Sequence, residues 1–454
     1  MKRMKLAVLC NTGPYAWLRA DKVEGDMDFD LYREIAKVAE KGKLDILFVA
    51  DTVGIRTWRK DGAQDEAVGN AVHHDPMMML SALSQATSEI GLVGTISTTY
   101  AHPYAIARTI GSLDFLTQGR GGWNVVTSGS DPEARNFGLA TQMDSDARYR
   151  RANEAIDVVC KLWDSFGDDA FPRDRAARRF FDEGAVNRLE HKGEFFDVAG
   201  PLNMRRPPQG RPLISQAGTS PAGEAMAART ADIMYANYNL LEGGHATHSF
   251  HAAGRRFRDA ITARMKDYGR QANELVILPG IFTVLGGTEQ EAQRKFSDFQ
   301  SFMDDEAGLK FLERLWGIDL HGYAIDEPIP DIHKLARYAK GDGARMTIRQ
   351  AFNWLTSALG HLSVIGTPEQ AADVMQSWYE EGGADGFNLF SHSLPGSLDD
   401  FVCEVAPILQ RRGLMQSDYA EGTLRDKLGL ARPGSVKTSA PAGNARRVST
   451  TSEG

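Results

Sequence analysis

"IGLVGTISTTYAHPYAIARTIGSLDFLTQGRGGWNVVTS", residues 90–128, contains one complete unit of the fold. "IGLVGTIST" (90–98) is a short apolar run and reads as a strand. "HPYAIARTIGSLDFLTQG" (102–119) carries its apolar residues at helical spacing. "GGWNVVTS" (121–128) is apolar again and reads as the next strand, with one amide, Asn124, inside the run. Strand, helix and strand at such short range form a βαβ unit, whose two strands are parallel.

The same alternation extends in both directions. Upstream lie the strands "LAVLC" (6–10) and "LDILFVAD" (44–51), the latter apolar on both faces as parallel strands are. Between them "DLYREIAKVAEKG" (30–42) is an amphipathic helix ending on glycine. "DPMMMLSALSQAT" (75–87) follows, with Asp75 as N-cap and Pro76 at its first position. Downstream come a long helix (146–166), the strand "RPLISQAG" (211–218) and the helix "SPAGEAMAART". Then follow "ADIMYANY" (231–238), a helix to about Tyr268, and the strand "ELVILPGIFTVLG" (274–286). The helix "TPEQAADVMQSWYEEGG" (367–383), the strand "GFNLF" (386–390) and "SLDDFVCEVAPILQRRG" (397–413) complete the series. The total approaches eight strand–helix pairs, which favours a (β/α)8 TIM barrel over an open sheet. We therefore expect a single barrel domain over 1–432 with insertions near the barrel mouth, at about 167–210 and 288–360. A long insertion of the second kind is commonly a lid. The Ser/Ala/Gly-rich stretch 433–454 reads as a disordered tail.

The 454 residues are 42% hydrophobic and 25% charged, an ordinary globular composition. Net charge is −8, which argues against a nucleic-acid surface and for a cytoplasmic protein. Cys10, Cys160 and Cys403 are widely spaced and form no Cys-x-x-Cys, so neither a disulfide scaffold nor a zinc site is expected. The apolar run behind Lys2 and Arg3 is too short for a signal peptide. No stretch has the length of a membrane span.

In a barrel of this kind the active site lies where the strands end. Those ends carry Asp51 and Thr52; Thr95, Ser97, Thr98 and Thr99; Asn124, Thr127 and Ser128; Gln216, Gly218, Thr219 and Ser220; and Asn388, Ser391 and His392. The set is rich in hydroxyls and amides and poor in catalytic groups. It suits a site that holds a polar heterocycle and lets the heterocycle do the chemistry. "AGTSPAG" (217–223) sets small residues and hydroxyls at a helix start, where free amides cradle a phosphate. Capping and turn closure are the competing explanation for any one of these residues. No G-x-G-x-x-G, P-loop, G-x-S-x-G or H-E-x-x-H is present. "HHD" (73–75) precedes a capped helix and lacks further metal ligands at motif spacing, so a loop role is favoured. Arg56, Arg59 and Lys60 read as a solvated loop.

Seven stretches in order resemble the bacterial luciferase-like flavin monooxygenases, in the branch of nitrilotriacetate, EDTA and dibenzothiophene-sulfone monooxygenases. They are "KGKLDILFVAD" (41–51), "GTISTTYAHPYAIAR" (94–108), "LTQGRGGWNVVTS" (116–128), "ARNFG" (134–138), "DARYRRANE" (146–154), "QAGTSPAG" (216–223) and "EEGGADGFNL" (380–389). The resemblance implies a barrel that uses FMN as FMNH2, supplied by a separate NAD(P)H:flavin reductase. A flavin C4a-(hydro)peroxide formed with O2 would oxygenate a small organic substrate: a sulfur compound, an aminocarboxylate, a haloaromatic or a heterocycle. C–S or C–N cleavage follows in some members.

By the same resemblance Asp51 and Thr95 lie near the flavin ring and Asn124 faces it, as the residue most directly tied to catalysis. Tyr149 matches the family's tyrosine in "D-x-R-Y", Gly218 is a further cofactor-binding residue, and Ser220 lies near the phosphate. Where related members carry a histidine before "D-x-R-Y", this chain has Ser145; its hydroxyl can hydrogen-bond the flavin or its phosphate but cannot act as the same acid–base group. The first loop (11–25) keeps Trp17 and Arg19 but lacks a histidine common there. Two other activities fit the same barrel: flavin binding without oxygenation, and F420-dependent hydride transfer. A homo-oligomer is the general expectation for a soluble enzyme.

Overall fold

The computed structural model describes residues 3–11, 27–55, 58–59, 62–63, 72–218, 220–237, 247–301, 305–330, 346–358 and 361–435. Trp17, Arg19, Arg56, Lys60 and Thr219 lie outside the described residues, as does the chain beyond Ser435.

The nine strands of the main sheet are β1 (Lys5–Leu9), β2 (Ile46–Val49), β3 (Gly91–Ser97), β4 (Gly121–Val126), β5 (Leu213–Ala217), β6 (Ile233–Ala236), β7 (Val276–Leu285), β8 (Leu362–Gly366) and β9 (Gly386–Phe390). From β1 to β7 each strand pairs in parallel with the next. β9 pairs with β7 and then with β1, Lys5 opposite Gly386 and Val8 opposite Leu389, which closes the ring. The expected (β/α)8 barrel is the observed one. Its helices include α1 (Phe29–Lys41), α2 (Pro76–Leu83), α3 (Pro103–Leu116), α4 (Asp131–Asn136), α5 (Ser145–Trp163), α6 (Pro221–Thr230) and α7 (Thr247–Asp267). Asp75 caps α2 by accepting from the amides of Met77 and Met78, as the sequence implies.

Alternation along each strand divides the apolar residues between two cores. Leu6, Val8, Leu47, Leu92, Ile214 and Ile277 pack outward under the helices. Ala7, Ile46, Phe48, Val93, Leu213, Ile233 and Leu278 fill the bore. Leu424 and Leu428, on the short segment Leu424–Leu428 near the end of the chain, join the bore cluster from below. A Cβ on Gly91 would stand 2.5 Å from a methyl of Leu424, so glycine there admits the plug. With that end filled, the C-terminal end of the barrel is left for the site.

β8 is absent from the sequence reading. "LSVIG" (362–366) follows directly on the insertion and is too short to announce itself by period. Its place is set by Pro279: β6 pairs along β7 as far as Pro279, and β8 takes over from Ile281. Proline has no N–H to continue a ladder, so the change of partner falls there. Before β8 lie α8 (Glu289–Gln300), α9 (Asp305–Trp316) and α10 (Ile348–Ala358). Leu312, Trp316, Met346, Ile348 and Phe352 form a small core of their own in this insertion. After β8 comes α11 (Pro368–Glu380), capped by Thr367.

The 167–210 segment is fastened at two places. Buried Arg206 bonds Asp164 at 3.0 Å and donates to the carbonyls of Pro433 and Gly434, each at 2.9 Å. Glu154 on α5 accepts from the amides of Phe195 and Phe196, each at 3.0 Å.

Candidate functional site

Thr95 on β3, Asn124 on β4 and Ser215 on β5 sit side by side in the upper bore, in matched register. Thr95 Oγ1 donates to the carbonyl of Val49 on β2 at 2.8 Å and accepts from Asn124 Nδ2 at 2.9 Å. Ser215 Oγ donates to Asn124 Oδ1 at 3.3 Å. All three are buried. Each polar strand residue thus satisfies the next, as burial requires. The amide inside the apolar run of β4 ties four strands together, and both its ends are bonded within the barrel wall.

Asp51 lies just past β2 and is half-buried. His73 Nε2 donates to its Oδ1 at 2.8 Å and lies 3.2 Å from the Thr52 carbonyl. His74 turns elsewhere, to the Met27 carbonyl at 3.1 Å. The "HHD" stretch therefore has three separate roles: an imidazole on the Asp51 carboxylate, a loop tether and a helix cap. The first was missed in the sequence. Its only sign is that the long loop after β2 must return to the start of α2.

The third part of the site is a corner between α5 and α6. Tyr149 Oη and Ser220 Oγ are 3.1 Å apart. Ser220 also accepts from the Gly223 amide at 3.1 Å, which makes it the N-cap of α6. Gly218 has φ +132°, a conformation that suits glycine and turns the chain from β5 into α6. Beside it Gln216 is buried, its Nε2 spent on the Ala217 carbonyl at 2.9 Å and its Oε1 without a partner. Ser145 is exposed and lies four residues before Tyr149 on α5, on the same helical face. Hydroxyls from two helices beside the positive end of the α6 dipole together suit a phosphate monoester. The structure thus brings Tyr149, Ser220 and Gly218 into one corner, and Thr95 and Asn124 into one hydrogen-bonded set. The Asp51 carboxylate bonds His73 rather than either set.

The family model of luciferase-like monooxygenases matches residues 4–386. The chain is 40% identical to N-acetyl-S-(2-succino)cysteine monooxygenase of Bacillus subtilis (strain 168), over 95% of this chain and 98% of the relative. It is 41% identical to nitrilotriacetate monooxygenase component A of Aminobacter aminovorans, over 89% and 91%. Among solved structures, riboflavin lyase with modified FMN and riboflavin superposes with a TM-score of 0.80 at 30% identity, covering 95% of this chain and 97% of that one. No helix among the described residues is long and apolar enough to cross a membrane. By sequence and by fold, this protein belongs to the luciferase-like monooxygenases, a family of flavin-dependent oxygenases.

Proposed function

We propose that this chain is the oxygenase component of a two-component system, binding FMNH2 that a separate NAD(P)H:flavin reductase supplies and oxygenating a small organic substrate. The observation that carries the reading is the corner of Tyr149 and Ser220 at the start of α6, 3.1 Å apart on the mouth of a barrel that is filled from below. It suits the phosphate of a mononucleotide. The sequence has no dinucleotide fingerprint, so a nicotinamide is left to the reductase. The division of labour is that of a relative whose name includes "component A".

Bound reduced flavin supplies the electrons that activate dioxygen. The chain's own part is to hold and enclose. Tyr149, Ser220, Gly218 and Ser145 hold the phosphate end. Thr95, Asn124 and Asp51 form the polar wall that orients the ring, and the His73 imidazole keeps the Asp51 carboxylate in place. The insertion before β8 keeps water from the mouth during turnover. For the substrate, two relatives act by name on a thioether carboxylate and an aminocarboxylate. We take N-acetyl-S-(2-succino)cysteine and nitrilotriacetate as the first compounds to assay.

The test has two stages. Reduced FMN is titrated anaerobically into the protein and binding is followed by tryptophan fluorescence. Oxygen uptake and product are then measured with NADH, FMN, an unrelated flavin reductase and each compound. Saturable binding, with product that requires every component, is the expected result. A protein that does not bind reduced FMN would falsify the proposal.

A further inference from the structure

The segment that carries Asp51 runs past the end of β2, and side chains of other elements hold it there. Thr95 Oγ1 on β3 donates to the Val49 carbonyl at 2.8 Å. His73 reaches the Asp51 carboxylate at 2.8 Å. Asn136 Nδ2, at the end of α4, donates to the Val53 carbonyl at 2.9 Å. Between Val49 and Asp51 lies Ala50, and the side chain that holds it is Asn11.

Asn11 stands two residues beyond the end of β1. The pairing of β1 with β2 ends with Leu9 opposite Phe48, and the Cys10 amide donates to the Phe48 carbonyl at 2.7 Å. Ala50, two residues further along, is held by a side chain instead. Asn11 Oδ1 accepts from the Ala50 amide at 3.0 Å, and Asn11 Nδ2 donates to the Ala50 carbonyl at 3.2 Å. A carboxamide has the same donor and acceptor as a peptide unit, so it can stand in for one step of a strand. A carboxylate of the same shape has no N–H to give. Both residues are half-buried, and one side chain satisfies both main-chain groups of Ala50.

The Ala50 carbonyl belongs to the planar peptide unit whose nitrogen is that of Asp51. Holding that plane limits where the Asp51 Cα, and with it the side chain, can go. His73 then fixes the carboxylate itself. We propose that Asn11 is a positioning residue, which sets the place of the Asp51 carboxylate by holding the peptide in front of it. Its own amide is spent on the main chain, so it acts through Asp51. The inference rests on the FMN reading above, in which Asp51 belongs to the wall that orients the ring, and it adds the group that keeps Asp51 there.

The test is a double-mutant cycle. Dissociation constants of reduced FMN are measured by anaerobic ultrafiltration for the wild type, Asn11→Ala, Asp51→Ala and the double variant, with urea unfolding of each alongside. We expect Asn11→Ala to weaken FMN about fivefold to tenfold, within the range of one hydrogen bond. In the Asp51→Ala background the same change should have less than about a twofold effect, because the group that it positions is gone. A residue that only supports the fold would weaken binding by the same factor in both backgrounds. Equal factors overturn the assignment, as does FMN binding by Asn11→Ala or by Asp51→Ala at wild-type strength. Asn11→Asp keeps the shape and the acceptor for the Ala50 N–H, and it replaces Asn11→Ala in the cycle if the alanine variant does not fold. In each of these cases FMN binding by the wild type stands. If the wild type does not bind reduced FMN, the FMN reading and this inference fall together.

Discussion

Replacing Asp45 with asparagine should change the way stability depends on pH. Asp45 precedes β2 at the lower end of the barrel and is 4% exposed. Its Oδ2 accepts from the Leu6 amide at 2.7 Å, and Lys5 Nζ stands 3.9 Å from its Oδ1. Burial raises its carboxyl from an ordinary 3.8 to about 6, with Lys5, the Leu6 N–H and Lys427 pulling the other way. The folded chain therefore keeps a proton at pH values where the unfolded chain has lost it. Stability from this group is greatest below 3.8, falls as pH rises through the interval to about 6, and is level above it. The whole interval is worth about 3 kcal/mol, and the part between pH 5 and pH 7.5 about 1.4 kcal/mol. Asparagine can still accept from Leu6 but does not titrate. Urea unfolding of wild type and Asp45→Asn at both pH values isolates the group, because every other titration cancels in the difference. The variant should gain about 1.4 kcal/mol on the wild type between pH 5 and 7.5. With a urea slope of about 3 kcal/mol/M or more for a chain of this size, that is a relative midpoint shift of up to about 0.5 M. A difference between the two proteins that is the same at both pH values would refute the reasoning.

Further expectations address the site and its supports. Asn124→Leu removes the acceptor of Ser215 and the donor to Thr95; it should cost about 2–4 kcal/mol in urea unfolding and weaken FMN binding. Unchanged stability would mean that the three-residue set does not hold the strands. Tyr149→Phe and Ser220→Ala should each weaken FMN several-fold to about tenfold while leaving riboflavin, which has no phosphate, unaffected. Equal losses for both flavins would remove the phosphate from that corner. Arg206→Ala leaves the buried Asp164 carboxylate to Arg211 alone and frees the carbonyls of Pro433 and Gly434. A loss of about 1–3 kcal/mol and early proteolytic cleavage within 167–210 are expected, and a protease pattern like that of the wild type would count against this anchoring.

The barrel could be read from the chain because its strands are buried on both faces and its helices on one. That contrast is a local property, present in every run from Leu6 to Phe390. The plug beneath the bore gave no such sign. Leu424 and Leu428 are ordinary apolar residues in a short helix, and only the missing side chain at Gly91, more than 300 positions away, makes room for them. The His73–Asp51 bond escaped notice for a similar reason: a loop carries the imidazole back to a strand end 22 residues earlier.

The two bore amides show where local reading ends. "WNVV" and "FNLF" place Asn124 and Asn388 alike, each one residue after an aromatic in an apolar strand. Both face the bore, and both are 2% exposed. They differ in their neighbours alone. β3 and β5 bring hydroxyls level with Asn124, so it completes the barrel wall. β1 and β7 bring alanine and glycine level with Asn388, so its oxygen has no partner in the chain. Whether a buried amide finds a partner on the neighbouring strands is thus decided by strand register. No stretch of sequence around either asparagine contains that information.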